Sequence, residues 1–207
     1  MAFPNSQQVR QLIKPLWFSA CLLPFLLLLF DAFTSGGREL GANPIEAIQD
    51  RMGLWALRFL LLTLSLTPLR QLTGQAWLQQ LRRMTGLFAL FYVSMHFLNY
   101  LVLDQGFGWS FIIEDVLKRP FITLGMLGLL CLIPLGITST TSWRRKLGRR
   151  WQKLHRLIYL IAILGCWHFW WQVKSDIEEP LLYSLMLAVL LGFRLWKIKL
   201  AKKTTPG

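Results

Sequence analysis

The chain of 207 residues holds three histidines, His96, His155 and His168. Each stands in or beside a long apolar run, where an ionisable side chain is costly and marks function. His96 and His168 lie at similar distances from the ends of two runs that traverse in the same direction. That places both at one depth, in the outer half of a bilayer. Two neutral imidazoles from two helices at one depth can clamp a haem iron axially. The alternative is that each imidazole is a structural group, hydrogen-bonded within a helix bundle.

His155 precedes His168 by 13 residues, about 20 Å along a helix at roughly 1.5 Å per residue. That spacing suits a second haem near the cytoplasmic face. On an ideal helix the two side chains would not share a face, because 13 residues turn by about 140°. The matching position on the other run is Arg82 or Arg83. A guanidinium stays protonated and is no iron ligand, but it could hold a phosphate or a propionate. Arg58, inside the outer end of its run, is a second candidate for a propionate, or simply snorkels to the interface. The aromatic group Trp167, Phe169, Trp170 and Trp171 around His168 reads as an interfacial belt that could also pack on a porphyrin. No acidic residue lies mid-run, which argues against carboxylate-based proton or cation transport and against a di-iron site.

The elements that must position these residues are membrane helices. The sequence is 54% hydrophobic and 16% charged, where a soluble domain carries about 25% charged residues. A spanning helix needs about 20 mostly apolar residues. Six stretches qualify, at about 15–33, 53–69, 85–103, 120–138, 154–173 and 180–196. The expectation is an all-α, polytopic six-helix bundle forming a single domain over 1–207. No small-residue cleavage site follows the first run, where Asp31-Ala-Phe-Thr stands, so that span is expected to be retained. Asn43-Pro44 with Glu46 reads as an N-cap, a first-turn proline and a capping-box acid. It predicts a short amphipathic helix leading into the second span. No internal repeat is visible.

Charge sets the orientation. Of 23 basic residues, 17 fall on the side that carries both termini; all ten acidic residues fall on the other side with six basic ones. The positive-inside rule makes both termini cytoplasmic. The net charge of +13 is then the flanking charge of membrane helices, and no nucleic-acid partner is implied. The three cysteines, Cys21, Cys131 and Cys166, form no CxxC pair, so neither a disulfide framework nor a zinc ribbon is expected. The cytoplasmic basic loop from Arg144 to Lys153 could bind phosphate through its guanidinium groups. The outward acids Glu114, Asp115, Asp176, Glu178 and Glu179 offer a negative face to an electron acceptor.

The stretch from Thr138 through Trp143-Arg-Arg-Lys-Leu-Gly-Arg-Arg-Trp151 to His155 and Tyr159, followed by His168, resembles the ferric-reductase-like transmembrane domain. Leu40-Gly-Ala-Asn-Pro44, Arg82-Arg83-Met-Thr-Gly-Leu87 before His96, and Arg119-Pro-Phe-Ile-Thr-Leu-Gly125 extend the match over nearly the whole chain. Within that group the likeness is to haem-binding membrane subunits of periplasmic methionine sulfoxide reductase systems. The resemblance implies haem b bound through His96, His155 and His168. It also implies electrons from the quinone pool, an FMN, a location in the bacterial inner membrane and a periplasmic molybdopterin-containing reductase as partner. Larger relatives carry two histidines on each ligand helix and a soluble flavin–nicotinamide domain. Here an arginine replaces one histidine and no GxGxxG fingerprint follows a strand, so oxidation of NADPH is not expected. Two rivals stay open: a stand-alone haem reductase acting on ferric chelates or another external acceptor, and a small transporter or scaffold with structural histidines.

Overall fold

The computed structural model describes residues 4–34, 40–173 and 176–203, the stretch 201–203 by its backbone alone. Among the described residues every regular element is helical. The order is α1 (Ser6–Gln8), α2 (Lys14–Thr34), α3 (Pro44–Thr73), α4 (Leu78–Leu98), α5 (Trp109–Lys118), α6 (Pro120–Ile137), α7 (Thr141–Leu147), α8 (Arg149–Leu154), α9 (Leu157–Gln172) and α10 (Glu178–Lys203). A π-helical segment, Val9–Ile13, joins α1 to α2, and another, Asn99–Asp104, prolongs α4. Arg38, Glu39 and Lys174, which enter the charge asymmetry, lie outside the described residues, as do the side chains of Lys202 and Lys203.

The six expected spans correspond to α2, α3, α4, α6, α9 and α10. Five helical runs are long and apolar enough to cross a membrane: Ser6–Thr34, Pro44–Thr73, Leu78–Asp104, Pro120–Ile137 and Glu178–Leu200. The helix α9 has 16 residues, about 24 Å at roughly 1.5 Å per residue, shorter than a hydrocarbon core of about 30 Å. It starts later than expected because the chain turns at His155 and Arg156, between α8 and α9. Large apolar side chains point outward, among them Leu16, Leu23, Phe30, Leu182, Leu185 and Val189. On a multi-pass membrane protein these face lipid.

The capping reading at Asn43 holds. Its side chain accepts from the Glu46 backbone N–H at 3.3 Å and donates to Glu46 Oε2 at 3.0 Å, with Pro44 in the first turn. The helix it opens is not a short separate one. It runs unbroken through Gly53 to Thr73, since a single glycine costs a helix only about 1 kcal/mol. Gly74, at φ +71°, closes it in the left-handed conformation.

Two helix pairs make the body of the fold. The helix α3 packs mainly on α4, and α6 mainly on α9, with α4 against α6 and α3 against α9 where the pairs meet. The helix α3 is the most buried, through Met52, Leu57, Phe59, Leu60, Leu61 and Leu64. On one flank, Pro24 interrupts α2, where the missing N–H and the ring break the local bonding. The fully buried Tyr92 of α4 fills the break: its hydroxyl donates to the Cys21 carbonyl at 2.9 Å and accepts from the Phe25 N–H at 3.0 Å. In hydrocarbon no water can replace such a bridge. Trp17 Nε1 donates to Thr85 Oγ1 at 3.0 Å and ties the same two helices one level away.

Tyr92→Phe should therefore orphan one carbonyl and one amide, each at a cost of about 1–3 kcal/mol. Thermal unfolding of the detergent-solubilised protein is expected to show a clearly lowered midpoint, with helix content at low temperature unchanged. An unchanged midpoint would mean that α2 closes its own break.

Candidate functional site

His96 sits near the end of α4 and His168 near the end of α9, and the structure brings their rings together. Their ring centroids are 6.1 Å apart and the ring planes stand at 89°. His96 Nδ1 lies 2.9 Å from the Gln49 carbonyl oxygen, and His168 Nδ1 lies 2.6 Å from that of Phe121. A carbonyl oxygen only accepts, so both imidazoles carry their proton on Nδ1. The lone pair of each ring is therefore on Nε2, the atom left to bind a metal.

The two grips are copies of one another. Carbonyl and imidazole are 47 residues apart in both cases. One turn after each carbonyl comes a glycine, Gly53 on α3 and Gly125 on α6, that lies against its imidazole. Each histidine is followed by phenylalanine, Phe97 and Phe169. One fixed offset in the sequence thus relates Gln49, Gly53 and His96 to Phe121, Gly125 and His168. The likeness is one of local helix-pair geometry at these positions.

The copies differ in one respect. On the first, the Gln49 side chain reaches over: its Nε2 donates to His96 Nε2 at 3.2 Å, while its Oε1 accepts from Asn99 Nδ2 at 2.7 Å. On the second, the Phe121 ring packs beside His168, centroids 5.9 Å apart. A metal bound at His96 Nε2 would displace the Gln49 amide.

Both imidazoles line a cavity of about 840 Å³ between the two helix pairs, within the 300–1,000 Å³ or so of ligand pockets. Its walls include Gly53, Gly125, Gly128 and Gly165, and its mouth lies at the end of the bundle carrying Asp104, Asp176 and Glu179. The residues fit a haem. Metal–imidazole bonds of roughly 2 Å each put two coordinating nitrogens about 4 Å apart, and ring centroids lie behind those nitrogens, as the observed separation requires. Asn99, buried at the same wall, has an Oδ1 with no hydrogen-bond partner among the described residues.

The other candidates fall elsewhere. His155 stands in the turn before α9 and does not line the cavity. Its Nε2 lies 3.0 Å from Thr138 Oγ1, which itself donates to the Pro134 carbonyl, so Nε2 is the donor. The Trp151 ring stacks on it at 4.0 Å and donates to the Thr138 carbonyl. Arg82 is engaged by Tyr159, over whose ring Arg194 lies at 4.5 Å. Arg58 turns away from the cavity: its Nε donates to the Tyr183 hydroxyl at 2.8 Å, and its guanidinium lies 4.9 Å over Trp55. The arginines at the mouth are Arg51 and Arg119, ion-paired to Asp31 and Asp115. Of the aromatic group around His168, Phe169 lines the cavity; Trp167 and Trp171 are about half exposed, and Trp170 donates to Ser184. Gln49, Asn99 and the two glycines escaped sequence reading. The signal that could have found them is the repeated glycine at one distance before each His-Phe pair.

The model of the family described as "Ferric reductase like transmembrane component" matches residues 52–166. That range takes in α4, α6 and most of α3 and α9. The chain is 53% identical over 195 residues to a protein-methionine-sulfoxide reductase heme-binding subunit MsrQ of Xanthomonas euvesicatoria pv. vesicatoria, covering 93% of this chain and 89% of that protein. It is 47% identical over 199 residues to the MsrQ subunit of Herminiimonas arsenicoxydans, covering 95% and 90%. With more than half of the chain inside the family match and similarity running nearly end to end, the chain belongs to the ferric reductase like transmembrane component family, in its MsrQ group.

Proposed function

We propose that this chain is a membrane electron-transfer subunit. It holds a b-type haem between His96 and His168 and passes electrons outward to MsrP, a periplasmic molybdopterin-containing methionine sulfoxide reductase that repairs oxidised methionine in periplasmic proteins. The observation that carries the reading is the pair of facing imidazoles 6.1 Å apart, both fixed as Nδ1–H tautomers by backbone carbonyls. The relatives' printed name, heme-binding subunit of a protein-methionine-sulfoxide reductase, supports the cofactor and the class of partner. The charge asymmetry supports a place in the bacterial inner membrane with both termini cytoplasmic. The resemblance supplies the donor side: the quinone pool, with FMN as a carrier near the basic helices α7 and α8.

When bound, the haem supplies a one-electron couple between ferrous and ferric iron. The protein does the rest. His96 and His168 would hold the iron through Nε2, and the Gln49 and Phe121 carbonyls hold the rings and raise their basicity by accepting Nδ1–H. Those protons stay on Nδ1, so neither ring can give one up as an acid without losing its bond to the carbonyl. Leu57, Leu60, Leu132 and Ile161 wall the inner end of the cavity and keep water out. The outer end opens between acids. Asp176 and Glu179 line the mouth, and Asp176, Glu178 and Glu179 form no ion pair among the described residues. By contrast, Glu114 and Asp115 are paired with Lys118 and Arg119, which leaves the Asp176–Glu179 segment as the stronger negative feature. His155 belongs to the cytoplasmic side, where its Nε2 carries the proton given to Thr138 and could take a second iron only after that proton shifts to Nδ1.

His96→Ala and His168→Ala should each abolish the paired haem, read as loss of the low-spin Soret and α bands in purified protein. Full haem in either variant would overturn the pairing. His155→Ala should keep that haem; loss of all haem there would overturn the separation of the cytoplasmic site. Reduction of ferric chelates by the purified chain alone, at the rate seen with MsrP, would favour a stand-alone reductase.

The donor side is tested by replacing Arg149 and Arg150 together with glutamine. Flavin content should fall and haem stay constant; unchanged flavin returns the loop to a purely topological role.

The acceptor side is tested by stopped-flow oxidation of the reduced haem by MsrP across a salt series. Neutralising Asp176, Glu178 and Glu179 should slow the bimolecular rate and flatten its salt dependence, because screening acts over about 8 Å at physiological ionic strength. Equal rates at every salt concentration would move docking to another part of the outer face.

A further inference from the structure

The chain carries the same seat twice. In each, a helix offers a backbone carbonyl to an imidazole Nδ1–H and, one turn on, a glycine on which the ring lies. The glycines are not there for backbone freedom, since both stand inside regular helices. What they provide is space. A Cβ on Gly53 would lie 2.9 Å from His96 Cε1 and 3.0 Å from its Nδ1. A Cβ on Gly125 would lie 3.1 Å from both Cε1 and Nδ1 of His168. Neither ring can yield freely. Moving along its own plane stretches the bond to the carbonyl, and turning about that bond changes where Nε2 points. Carbonyl and glycine together therefore allow one ring plane and exclude the others. The two seats occur on different helix pairs, and they leave the rings 89° apart.

We infer that Gly53 and Gly125 are positioning residues that, with the Gln49 and Phe121 carbonyls, fix the planes of the two axial imidazoles perpendicular to one another. This rests on the haem reading above. Perpendicular axial imidazoles leave the two iron d orbitals that receive their π donation nearly equal in energy. A ferric low-spin centre of that kind has a strongly anisotropic electron paramagnetic resonance signal with a large maximum g value. Rings turned toward a common plane split those orbitals and lower it. At 89° the rings already stand at the extreme, so any turn of either ring can only lower the maximum g value.

The test compares the full-length wild type with Gly53→Ala, Gly125→Ala, Gly128→Ala and Gly192→Ala, each purified in detergent and checked for folding by size exclusion and helix content. Gly128 lines the same cavity, but a Cβ there meets no atom within 4 Å, and Gly192 is remote from it. Haem is counted per chain and the ferric signal recorded. The wild type should give the strongly anisotropic signal and Gly192→Ala the same one. Gly53→Ala and Gly125→Ala should shift the maximum g value downward. Loss of haem from those two folded variants, with Gly128→Ala retaining it, has the same meaning. A wild-type signal in both, or haem loss from Gly128→Ala as well as from both, overturns the inference, the latter because plain loss of cavity space would explain it. A wild type without bis-histidine haem defeats the functional reading itself, and that result is visible before any glycine variant is compared.

Discussion

Two neutral imidazoles must be held facing each other in a medium that offers them no water, and most of the architecture answers that requirement. A free imidazole N–H in hydrocarbon is a polar group without a partner. Here each N–H is given to a main-chain carbonyl of a neighbouring helix, Gln49 to His96 and Phe121 to His168. A helix carbonyl already accepts its own intrahelical bond but has a second lone pair. Using it demands that ring and helix approach closely, and close approach demands a residue without a side chain one turn on. The bond, the tautomer and the glycine are thus one solution.

The remaining elements hold that arrangement in place. Helices α3 and α4 form one grip and α6 and α9 the other, and the facing rings need the two pairs to dock in a fixed relation. The buried apolar face of α3 supplies much of that contact. On its flank α2 lacks a backbone donor at Pro24 and is tied there through Tyr92, which lies one turn before His96 on the same helix. A helix that does not line the cavity is therefore fastened, at its proline, to the helix that carries His96. At the outer end, Asn99 donates to the Gln49 side chain and to the Ile45 carbonyl, a polar girdle beside His96 at the cavity wall.

Much of this was legible in the residues. Apolar runs gave the helices, and the depth of His96 and His168 in parallel runs gave their meeting, which is a matter of counting residues along helices of fixed rise. The Asn43 cap was readable because its chemistry is local. What was not readable depended on which way a helix faces. Arg58 and Phe169 are equally plausible cavity residues by depth, yet one turns to Tyr183 and the other to the cavity, and rotation about the helix axis is set by packing alone. The turn at His155 and Arg156 was hidden because the composition on both sides of it is helical. The carbonyl grips were invisible in principle, since main-chain atoms carry no residue type; only the paired glycines betray them.

Each grip is closed within its own helical hairpin, while the meeting of the rings occurs only between hairpins. During synthesis the first hairpin is complete once α4 has emerged, and His96 can then be seated without any part of the second. His168 is seated by α6, which precedes it in the chain. The orientation of each ring is thus settled early and separately, and what remains for late assembly is a rigid-body docking of two finished halves. A cofactor that bridges the halves would then act as the latch of that docking, so that its capture and the maturation of the bundle are a single event.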